Sequence, residues 1–598
     1  MKPDYFQISE VSPSCLKVEV IDVDRFTDHS EKLRLGSYLK VTDTLGNSLV
    51  AVVTGYAVKD TVECKNGDIQ PLRRPRVVLE AQPLALIDSE NLLHRNSQRL
   101  TLPPAEVELA GSDILERLYS QSPDLDTPFS LGPLSVMNDV PYVVDGNRLF
   151  GKHIAVVGST GSGKSCTVAS LLQKAVKLSD EVDAKNNSHI IIFDPHAEYA
   201  AAFKFADKRE FSFNVLDTSN LKLPYWLMNS EELESMFIES NESNSHNQIS
   251  IFKQAVIANK RRHNRQIEKM TYDAPVYFSL QEVVCFIDNL NREVLGKLLE
   301  DDGRPKVVGE ESPYIEDQTQ YFDRRYTFVP TSTAKADKAS NGPFHGEFTR
   351  FLSRLENRLD DNRLQFLLSP KREDGQPFSS DDATELIKQF IGYRCKSNVT
   401  VIDLSGIPFE ILSITVSLIS RLVFDFCFHY TKLKHKDGGL NNIPVLLVCE
   451  EAHQYVPRTD SAAYRASRKS IERVAKEGRK YGMNLMVVSQ RPSEVSETIF
   501  AQCSNFLALR LTNYADQAYV RRLLPDNSHA VTESLPALAP GECLVMGDLA
   551  TLPAVVQIDM PEPIPQSAGV NVHSEWKQNW RDVDFETVVG RWLNLDES

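Results

Sequence analysis

The sequence lacks several features that mark other classes of protein. Its nine cysteines include no Cys-x-x-Cys pair, which argues against a zinc site or a disulfide framework and favours a reducing, cytoplasmic setting. It has no run of about eighteen apolar residues, so neither a transmembrane helix nor a membrane partner is expected. The opening residues, MKPDYFQISEV, have no basic segment before an apolar stretch, so no secretory signal is expected.

Positive charge is also scarce. Lys and Arg total 66 against 82 Asp and Glu, for a net charge of −16. A protein that coats nucleic acid by overall attraction is normally basic. If this chain binds DNA, its positive charge must therefore be confined to a local surface such as a channel. The alternative is that the acidity serves solubility alone.

The 598 residues are too many for one core, and the sequence pattern changes along the chain. Short alternating strands predict an N-terminal β-barrel, and continuous apolar runs later on predict parallel strands of an α/β core covered on both faces. Two segments of helical periodicity lie between the second and third of these runs. The predicted regions are a barrel at 1–105, a proline-rich connector at 106–147, a core in two parts at 148–225 and 397–560, a helical insertion at 226–396 and a C-terminal arm at 561–598.

A glycine-rich turn follows the first core strand, HIAVVG, and precedes a helix. It matches the phosphate-binding pattern G-x-x-x-x-G-K-[ST]. Glycines let backbone N–H groups turn inward around phosphate oxygens, and the helix adds its positive N-terminus. The strand before the turn and the helix after it argue against a chance match. The predicted nucleotide-binding residues are Gly158, Ser159, Thr160, Gly161, Ser162, Gly163, Lys164, Ser165 and Cys166. Lys164 is expected to reach the β- and γ-phosphates of ATP, and Ser165 to bind Mg²⁺.

Two further strands end in polar side chains. VLLVC precedes Glu450 and Glu451, at the kind of strand tip where α/β folds place catalytic groups. Glu450 is predicted to support Mg²⁺ and Glu451 to activate the attacking water, the alternative being a solvated acidic pair at a helix start. The strand NLMVVS leads to Gln490. This amide could sense the γ-phosphate or position the water, or it could satisfy only backbone groups.

Taken together, the motifs resemble the HerA family of hexameric DNA translocases, relatives of FtsK, in a bacterial form. GSTGSGKS, FDPHAEY at Phe193–Tyr199, EEAH and EGRKYGMNLMVVSQRPSEV occur in the family's order, and the resemblance covers nearly the whole chain. FDPHAEY is the most discriminating piece, because a generic P-loop protein has no reason to carry it. The resemblance implies a RecA-like core, an N-terminal HAS-barrel that caps one face of a ring, and a family-like insertion and arm.

The resemblance also implies roles for single residues. Lys164 and Ser165 match the Walker A positions, and Glu450 and Glu451 match Walker B, where the first residue is usually Asp. Further active-site positions fall on Asp194, Glu198, Gln490 and Lys152, the last at a position usually held by a basic residue. Arg479 is predicted to be an arginine finger from the adjacent subunit, a contribution of about 10³–10⁵ in rate in known cases. The alternative for Arg479 is an ordinary surface charge.

Two basic clusters are candidate DNA contacts. The segment after Walker B, YRASRKSIERVAKEGRK, places basic residues three or four apart on one helical stripe, and Arg465, Arg468 and Lys469 are predicted to grip phosphates without reading sequence. The alternative is a solvated helix balanced by Glu472 and Glu477. The second cluster, Lys260 to Arg265, could touch DNA or a partner, or be plain solvated surface.

These observations predict an ATP-dependent double-stranded DNA translocase that acts as a homohexameric ring. The resemblance suggests a partner protein, either a nuclease such as NurA or an antiviral effector such as a sirtuin-like NAD-consuming enzyme. Two alternatives remain. A protein-handling ATPase of the type IV secretion kind would lack DNA-stimulated hydrolysis, and a ring scaffold would organise an effector with hydrolysis as a switch.

Overall fold

The structure is a computed structural model. It describes residues 6–12, 15–21, 33, 36–63, 72–89, 93–94, 105–120, 126–177, 186–204, 212–239, 245–459, 464–523, 532–550, 552–567 and 569–592. Within the predicted connector, residues 121–125, which include Pro123, lie outside the described residues.

The strands within the described residues are β1 (Phe6–Val11), β2 (Leu16–Val20), β3 (Tyr38–Asp43), β4 (Ser48–Glu63), β5 (Leu72–Ile87), β6 (Leu93–His94), β7 (Ala105–Leu109), β8 (Pro128–Pro133), β9 (Pro141–Asp145), β10 (Ile154–Val157), β11 (His189–Asp194), β12 (Phe213–Leu216), β13 (Val294–Gly296), β14 (Ala339–Asn341), β15 (Val399–Asp403), β16 (Val445–Cys449), β17 (Met483–Ser489), β18 (Asn505–Ala508), β19 (Glu542–Gly547) and β20 (Ala554–Gln557).

The α-helices in the same described ranges are α1 (Ser112–Tyr119), α2 (Gly146–Phe150), α3 (Lys164–Val176), α4 (Ser230–Phe237), α5 (Ser245–His263), α6 (Leu280–Arg292), α7 (Thr349–Leu359), α8 (Gln365–Leu368), α9 (Ala383–Ile391), α10 (Phe409–Lys436), α11 (Arg465–Glu477), α12 (Glu497–Phe500), α13 (Tyr514–Leu523), α14 (Val572–Trp576) and α15 (Phe585–Trp592).

The N-terminal strands form one antiparallel sheet in the order β1-β2-β5-β4-β3-β7, with β6 beside β5. Alternate apolar residues point into a core of their own, as in β2, where Leu16, Val18 and Val20 are buried. The strands at the two ends of the order, β1 and β7, lie beside each other, so the sheet curls around this core.

Residues 128–145 differ from the predicted connector. They form a hairpin, β8–β9, which packs on β20 of the core through an isolated bridge between Leu134 and Val556. Pro128 and Pro133 occupy the first and last positions of β8. Proline is tolerated at such strand ends, so these prolines mark the limits of a strand and not an extended linker.

The core is a nine-stranded sheet in the order β12-β15-β11-β16-β17-β10-β18-β19-β20. The strands from β12 to β18 run parallel, and β19 and β20 are antiparallel. Successive residues of one strand enter two different hydrophobic cores. In β10, Ala155 and Val157 join one, while Ile154 and Val156 join the other. Both faces of the sheet are therefore covered, which explains why its strands are apolar throughout.

The insertion between β12 and β15 contains α4–α9, as the helical periodicity predicts. Asn229 and Glu232 form a capping box at the start of α4. Residues 298–345 form mainly turns, two 3₁₀ helices and the short strand β14.

The cluster around Lys260 is not a uniform solvated surface. The Lys260 ammonium group is fully buried and donates to the carbonyl oxygens of Tyr272 (2.6 Å) and Ala274 (2.7 Å). Arg262 forms an ion pair with Asp323. Lys260 is therefore unavailable to DNA or a partner, because its side chain turns inward to fix the loop after α5.

Helix α10 is long and apolar enough to cross a membrane, with a mean hydropathy of 1.8 over its best 18-residue window. Of this window, 78% is buried inside the protein, and the helix packs along α11. Because charged and hydroxyl side chains interrupt it, the helix does not read as an unbroken apolar run. Its burial is that of a core helix.

The C-terminal arm, residues 569–592, is almost entirely exposed. Trp576, Trp580 and Trp592 are 79%, 97% and 81% exposed. A short helix, α15, lies near its end.

Candidate nucleotide site

Four polar segments meet at one edge of the core sheet. The glycine-rich turn follows β10, Gln490 follows β17, Glu450 and Glu451 follow β16, and Asp194 ends β11. These strands are parallel neighbours in the order β11-β16-β17-β10, so their carboxyl ends lie side by side. The fold thus brings together motifs that lie up to 330 residues apart in the sequence.

The turn before α3 is built by two glycines in the left-handed region, Gly161 at φ +72° and Gly163 at φ +102°. Hydrogen bonds tie the turn to the neighbouring strands. Ser159 donates its N–H to the Arg510 carbonyl (2.8 Å), and the Thr160 hydroxyl donates to Gln490 Oε1 (2.7 Å). Gln490 is therefore attached to the turn from the adjacent strand tip.

The turn has the form of a phosphate cradle. A Cβ on Gly158 would stand 2.6 Å from Ser162 Oγ and 2.9 Å from Leu509 Cβ, so only glycine fits there. The buried Ser162 hydroxyl has no hydrogen-bond partner within the described residues. Gly163 is the N-cap of α3, whose first N–H groups are free to bind an anion. These features fit the phosphates of a nucleoside triphosphate.

The hydroxyl of Ser165 donates to Glu198 Oε2 at 2.9 Å. Mg²⁺ in such sites takes one or two protein oxygens together with phosphates and water. The protein oxygens available to bind Mg²⁺ beside Ser165 therefore include the carboxylate of Glu198, from FDPHAEY. Lys164, at the start of α3, is buried and only 7% exposed.

Asp194 acts on the backbone. Its carboxylate accepts the N–H groups of Glu198 (3.1 Å) and Tyr199 (2.8 Å), which folds FDPHAEY into a tight turn. Burial raises the pKa of Asp194, although these N–H groups oppose the shift. Asp194 therefore positions Glu198 and Tyr199.

The two Walker B carboxylates are in different environments. Burial raises the pKa of Glu450 to about 8, with the Glu451 charge adding to the shift, while the Tyr199 hydroxyl, 2.7 Å from Glu450 Oε2, opposes it. Burial also acts on Glu451, but His453 and Lys164 hold its pKa below its usual value. Because the pKa values of the two carboxyls are shifted in opposite directions, Glu451 is ionised at neutral pH, which suits a general base.

Glu451 adopts a left-handed backbone conformation, at φ +46°. Such a conformation costs a non-glycine residue about 1–3 kcal/mol and persists where its surroundings hold it. His453 Nδ1 lies 3.1 Å from Glu451 Oε2, not aligned as a hydrogen bond, and 3.3 Å from the Ser489 hydroxyl.

Four residues in or next to these motifs were not singled out from the sequence. Tyr199 and His453 contact the Walker B pair, Asp403 lies opposite Asp194 in the register of β15 and β11, and Arg510 follows β18 beside the P-loop. The available signal was position, since each lies in a short motif or at a strand tip.

Lys152 and Arg479 lie elsewhere. Lys152 precedes β10, and Arg479, in the 3₁₀ helix Gly478–Tyr481, precedes β17, so both lie at the amino ends of strands whose carboxyl ends carry the site. At about 3.3 Å per residue, seven-residue β17 alone places Arg479 about 20 Å from that edge. Lys152 pairs with Asp548, and Arg479 is exposed and lies close enough to the buried His153 to act on it electrostatically.

The basic helix α11 joins the two edges. It starts near Walker B, where the Ser467 hydroxyl hydrogen-bonds to the Tyr455 carbonyl, and ends just before Arg479. Arg468 donates to Glu472 (2.9 Å), and Lys469 pairs with Glu231 of α4. Arg465 and Lys469 are exposed, and Arg468 is half-buried. Part of the predicted phosphate-binding stripe is thus already engaged by carboxylates.

Comparison with known proteins points to one family. The family model described as the central domain of the helicase HerA matches residues 129–423. The probable DNA double-strand break repair helicase HerA of Methanocaldococcus jannaschii is 23% identical over 569 residues, which cover 91% of this chain and 95% of the relative. The corresponding helicase of Sulfurisphaera tokodaii is 25% identical over 94% of this chain and 96% of its own. The chain is a member of the HerA family.

As a HerA-type protein, the chain is a P-loop ATPase. Two solved structures are also similar to it. VirB4 of Thermoanaerobacter pseudethanolicus is 15% identical, with a TM-score of 0.41 over 73% of this chain and 97% of that one. The bacterial conjugative coupling protein TrwBdeltaN70 is 12% identical, with a TM-score of 0.41 over 77% and 94%.

Proposed function

We propose that the chain is one subunit of a homohexameric ring that uses ATP and Mg²⁺ to move double-stranded DNA. The observation that carries the proposal is the position of Arg479. It lies on an exposed turn at the sheet edge opposite its own P-loop, where it cannot reach its own nucleotide. In a ring where this edge of one subunit faces the P-loop of the next, Arg479 reaches the neighbouring subunit's nucleotide.

The chemistry at such a seam is divided between two subunits. From one, the P-loop and Lys164 hold the phosphates, Ser165 with Glu198 or Glu450 supports Mg²⁺, and Glu451 orients the water. From the next, Arg479 stabilises the charge on the transferred phosphoryl group, with Lys152 at the same edge. Gln490, hydrogen-bonded to the P-loop, is placed to respond to the γ-phosphate.

Mixing two inactive variants tests the seam. Lys164→Ala removes the phosphate grip but keeps the finger, and Arg479→Ala does the reverse, so we expect each alone to lose ATP turnover. In rings assembled from an equal mixture, about one quarter of seams join an intact P-loop to an intact finger, and turnover should recover toward that fraction. Lys480→Ala, an exposed neighbour, is the control. A mixture no more active than its components would contradict the seam.

DNA as the track is supported by the relatives, which are named DNA double-strand break repair helicases, and by the basic helix α11. We expect duplex DNA to stimulate turnover. Replacing Arg465, Arg468 and Lys469 with Ala should flatten the dependence of log affinity on log salt by up to about 0.9 per lost contact. Replacing Lys432, Lys434 and Lys436, at the exposed end of α10, is the matched control. Turnover indifferent to duplex DNA would instead favour a protein-handling ATPase.

A partner protein and a cytoplasmic location stay predictions. The curled N-terminal sheet, which the resemblance likens to a HAS-barrel, is the surface we assign to a nuclease or a sirtuin-like effector.

A further inference from the structure

The chain crosses the P-loop helix as it leaves the core sheet. We call residues 562–567 the C-terminal strap. Gln173 of α3 is 3% exposed, and its side chain both donates a hydrogen bond to the strap and accepts one from it. Its Nε2 donates to the Pro563 carbonyl (2.7 Å), and its Oε1 accepts the Glu562 N–H (2.9 Å). The same Nε2 donates to the Ala202 carbonyl (2.8 Å), so Gln173 also holds the 3₁₀ helix Ala200–Phe203 that follows FDPHAEY.

The far end of the strap reaches the nucleotide site itself. The Gln566 N–H donates to the carbonyl of Glu198 (2.9 Å). The carboxylate of the same residue accepts a hydrogen bond from the Ser165 hydroxyl. Ser567 lies close enough to Cys166 to oppose the rise that burial causes in the pKa of the Cys166 thiol, and Pro565 is buried. The strap is therefore held against the helix start by backbone and side-chain contacts.

The position of the phosphates defines what lies beside the strap. The first N–H groups of α3, from Lys164 to Cys166, bind the phosphate chain, and Lys164 reaches its β and γ end. The phosphate chain therefore passes Cys166, close to Ser567, before it continues into the sugar. On its other side, the strap continues into the exposed arm with its three tryptophans.

We infer that the C-terminal strap is the wall of the nucleotide site against the sugar and base, and that Gln173 clamps it there so that nucleotide occupancy is transmitted to the arm. The inference rests on the nucleotide site described above and adds its sugar–base side, with Gln173 as a positioning residue.

The test compares ATP with tripolyphosphate, which has the phosphates without sugar or base, both as Mg²⁺ complexes bound to the full-length protein. Gln173→Ala should weaken ATP binding about threefold to tenfold and leave tripolyphosphate binding unchanged. Lys177→Ala, exposed at the end of the same helix, should match the unaltered protein for both ligands. If Gln173→Ala unfolds, Gln173→Glu replaces it, because it loses both donor contacts and retains the acceptor.

Acrylamide quenching of tryptophan fluorescence gives the second readout. Three of the four tryptophans lie in the arm, and the fourth, Trp226, is buried. Saturating ATP should change the quenching and tripolyphosphate should not, and Gln173→Ala should abolish the ATP effect at full occupancy. Equal weakening of both ligands, or an ATP effect that survives in Gln173→Ala, overturns the inference. Failure of the unaltered protein to bind either ligand would instead overturn the nucleotide site.

Discussion

At the residue scale, the two adjacent Walker B glutamates differ because of what surrounds each of them. Glu450 is buried, and its negative charge is stabilised mainly by the Tyr199 hydroxyl and less by Lys164, whereas Glu451 faces His453 and Lys164. A low-polarity site keeps the first carboxyl protonated to higher pH, and the second is charged at neutral pH. Among the groups that favour the ionised form of Glu450, the Tyr199 hydroxyl has the largest effect.

Tyr199→Phe removes that hydroxyl and nothing else. Because the hydrogen bond opposes the rise caused by burial, its loss should raise the pKa of Glu450 further above about 8. If the ionised form supports Mg²⁺, the rising limb of the pH–rate profile moves to higher pH. Turnover near pH 7 then falls by about tenfold for each pH unit that this limb moves. The measurement is steady-state ATP hydrolysis from pH 6 to 9 at saturating Mg²⁺.

Tyr142→Phe is the matched control, since its equally buried hydroxyl donates to the Leu552 carbonyl (3.0 Å), away from the site. It should reduce stability by a similar amount and leave the pH profile in place. An unchanged profile in Tyr199→Phe would separate Glu450 ionisation from turnover.

The sequence indicated those site residues that lie within one short motif. The P-loop, both glutamates and Gln490 lie together as predicted. It could not show that Glu198 rather than Glu450 is hydrogen-bonded to Ser165, because this contact joins the start of α3 to the segment after β11. It also could not show that Asp194 accepts the N–H groups of Glu198 and Tyr199, because this depends on the turn that FDPHAEY adopts. By contrast, the sequence could have placed Lys152 at the opposite edge, because Lys152 precedes the predicted strand HIAVVG, whose other end carries the P-loop.

At the element scale, one buried ion pair joins the insertion to the core. Glu232 of α4 is fully buried and accepts from Arg421 of α10 (2.8 Å) and from the Ser417 hydroxyl (2.8 Å). Removing one partner of a buried pair leaves the other charge without compensation. Glu232→Ala should lower the free energy of unfolding by about 3–5 kcal/mol, as measured by chemical denaturation.

Glu231→Ala is the control one position away. Glu231 pairs with Lys469 at the surface, and exposed pairs contribute about 0–1 kcal/mol. Replacing Glu232 and Arg421 together with Met should recover part of the loss, because no buried charge is then left unpaired. Equal losses in Glu231→Ala and Glu232→Ala would argue against a special role for the buried pair.

Elements with a strong periodic or apolar pattern were predictable, and elements defined by tertiary contacts were not. The parallel strands, the capped helix α4 and the arm helix α15 follow from local pattern. The hairpin β8–β9 was missed because its prolines resemble a linker, although they lie at the strand ends. Lys260 appears in sequence as part of a solvated cluster, yet carbonyl groups from the following loop draw it inward.

At the scale of the whole molecule, the arm is an aromatic surface that the other described residues do not cover. Its three tryptophans and Phe585 are more than two-thirds exposed. Clusters of exposed aromatic residues of this kind mark interaction sites, and buried tryptophans are among the strongest contributors to interfaces. In a homohexamer, the surface available to every arm is the neighbouring subunit.

Removal of residues 569–598 should therefore leave the subunit folded and weaken the ring. Because the described arm buries almost nothing within its own chain, the thermal midpoint of the isolated subunit should be unchanged. The concentration needed for assembly should rise by at least about tenfold, as each lost aromatic anchor contributes about 2 kcal/mol or more. Mass photometry across protein concentrations measures this, and ATP turnover per subunit should follow assembly. A truncated chain that assembles as readily as the full chain would show that the arm binds a different protein, and a lower thermal midpoint would show that it stabilises its own subunit.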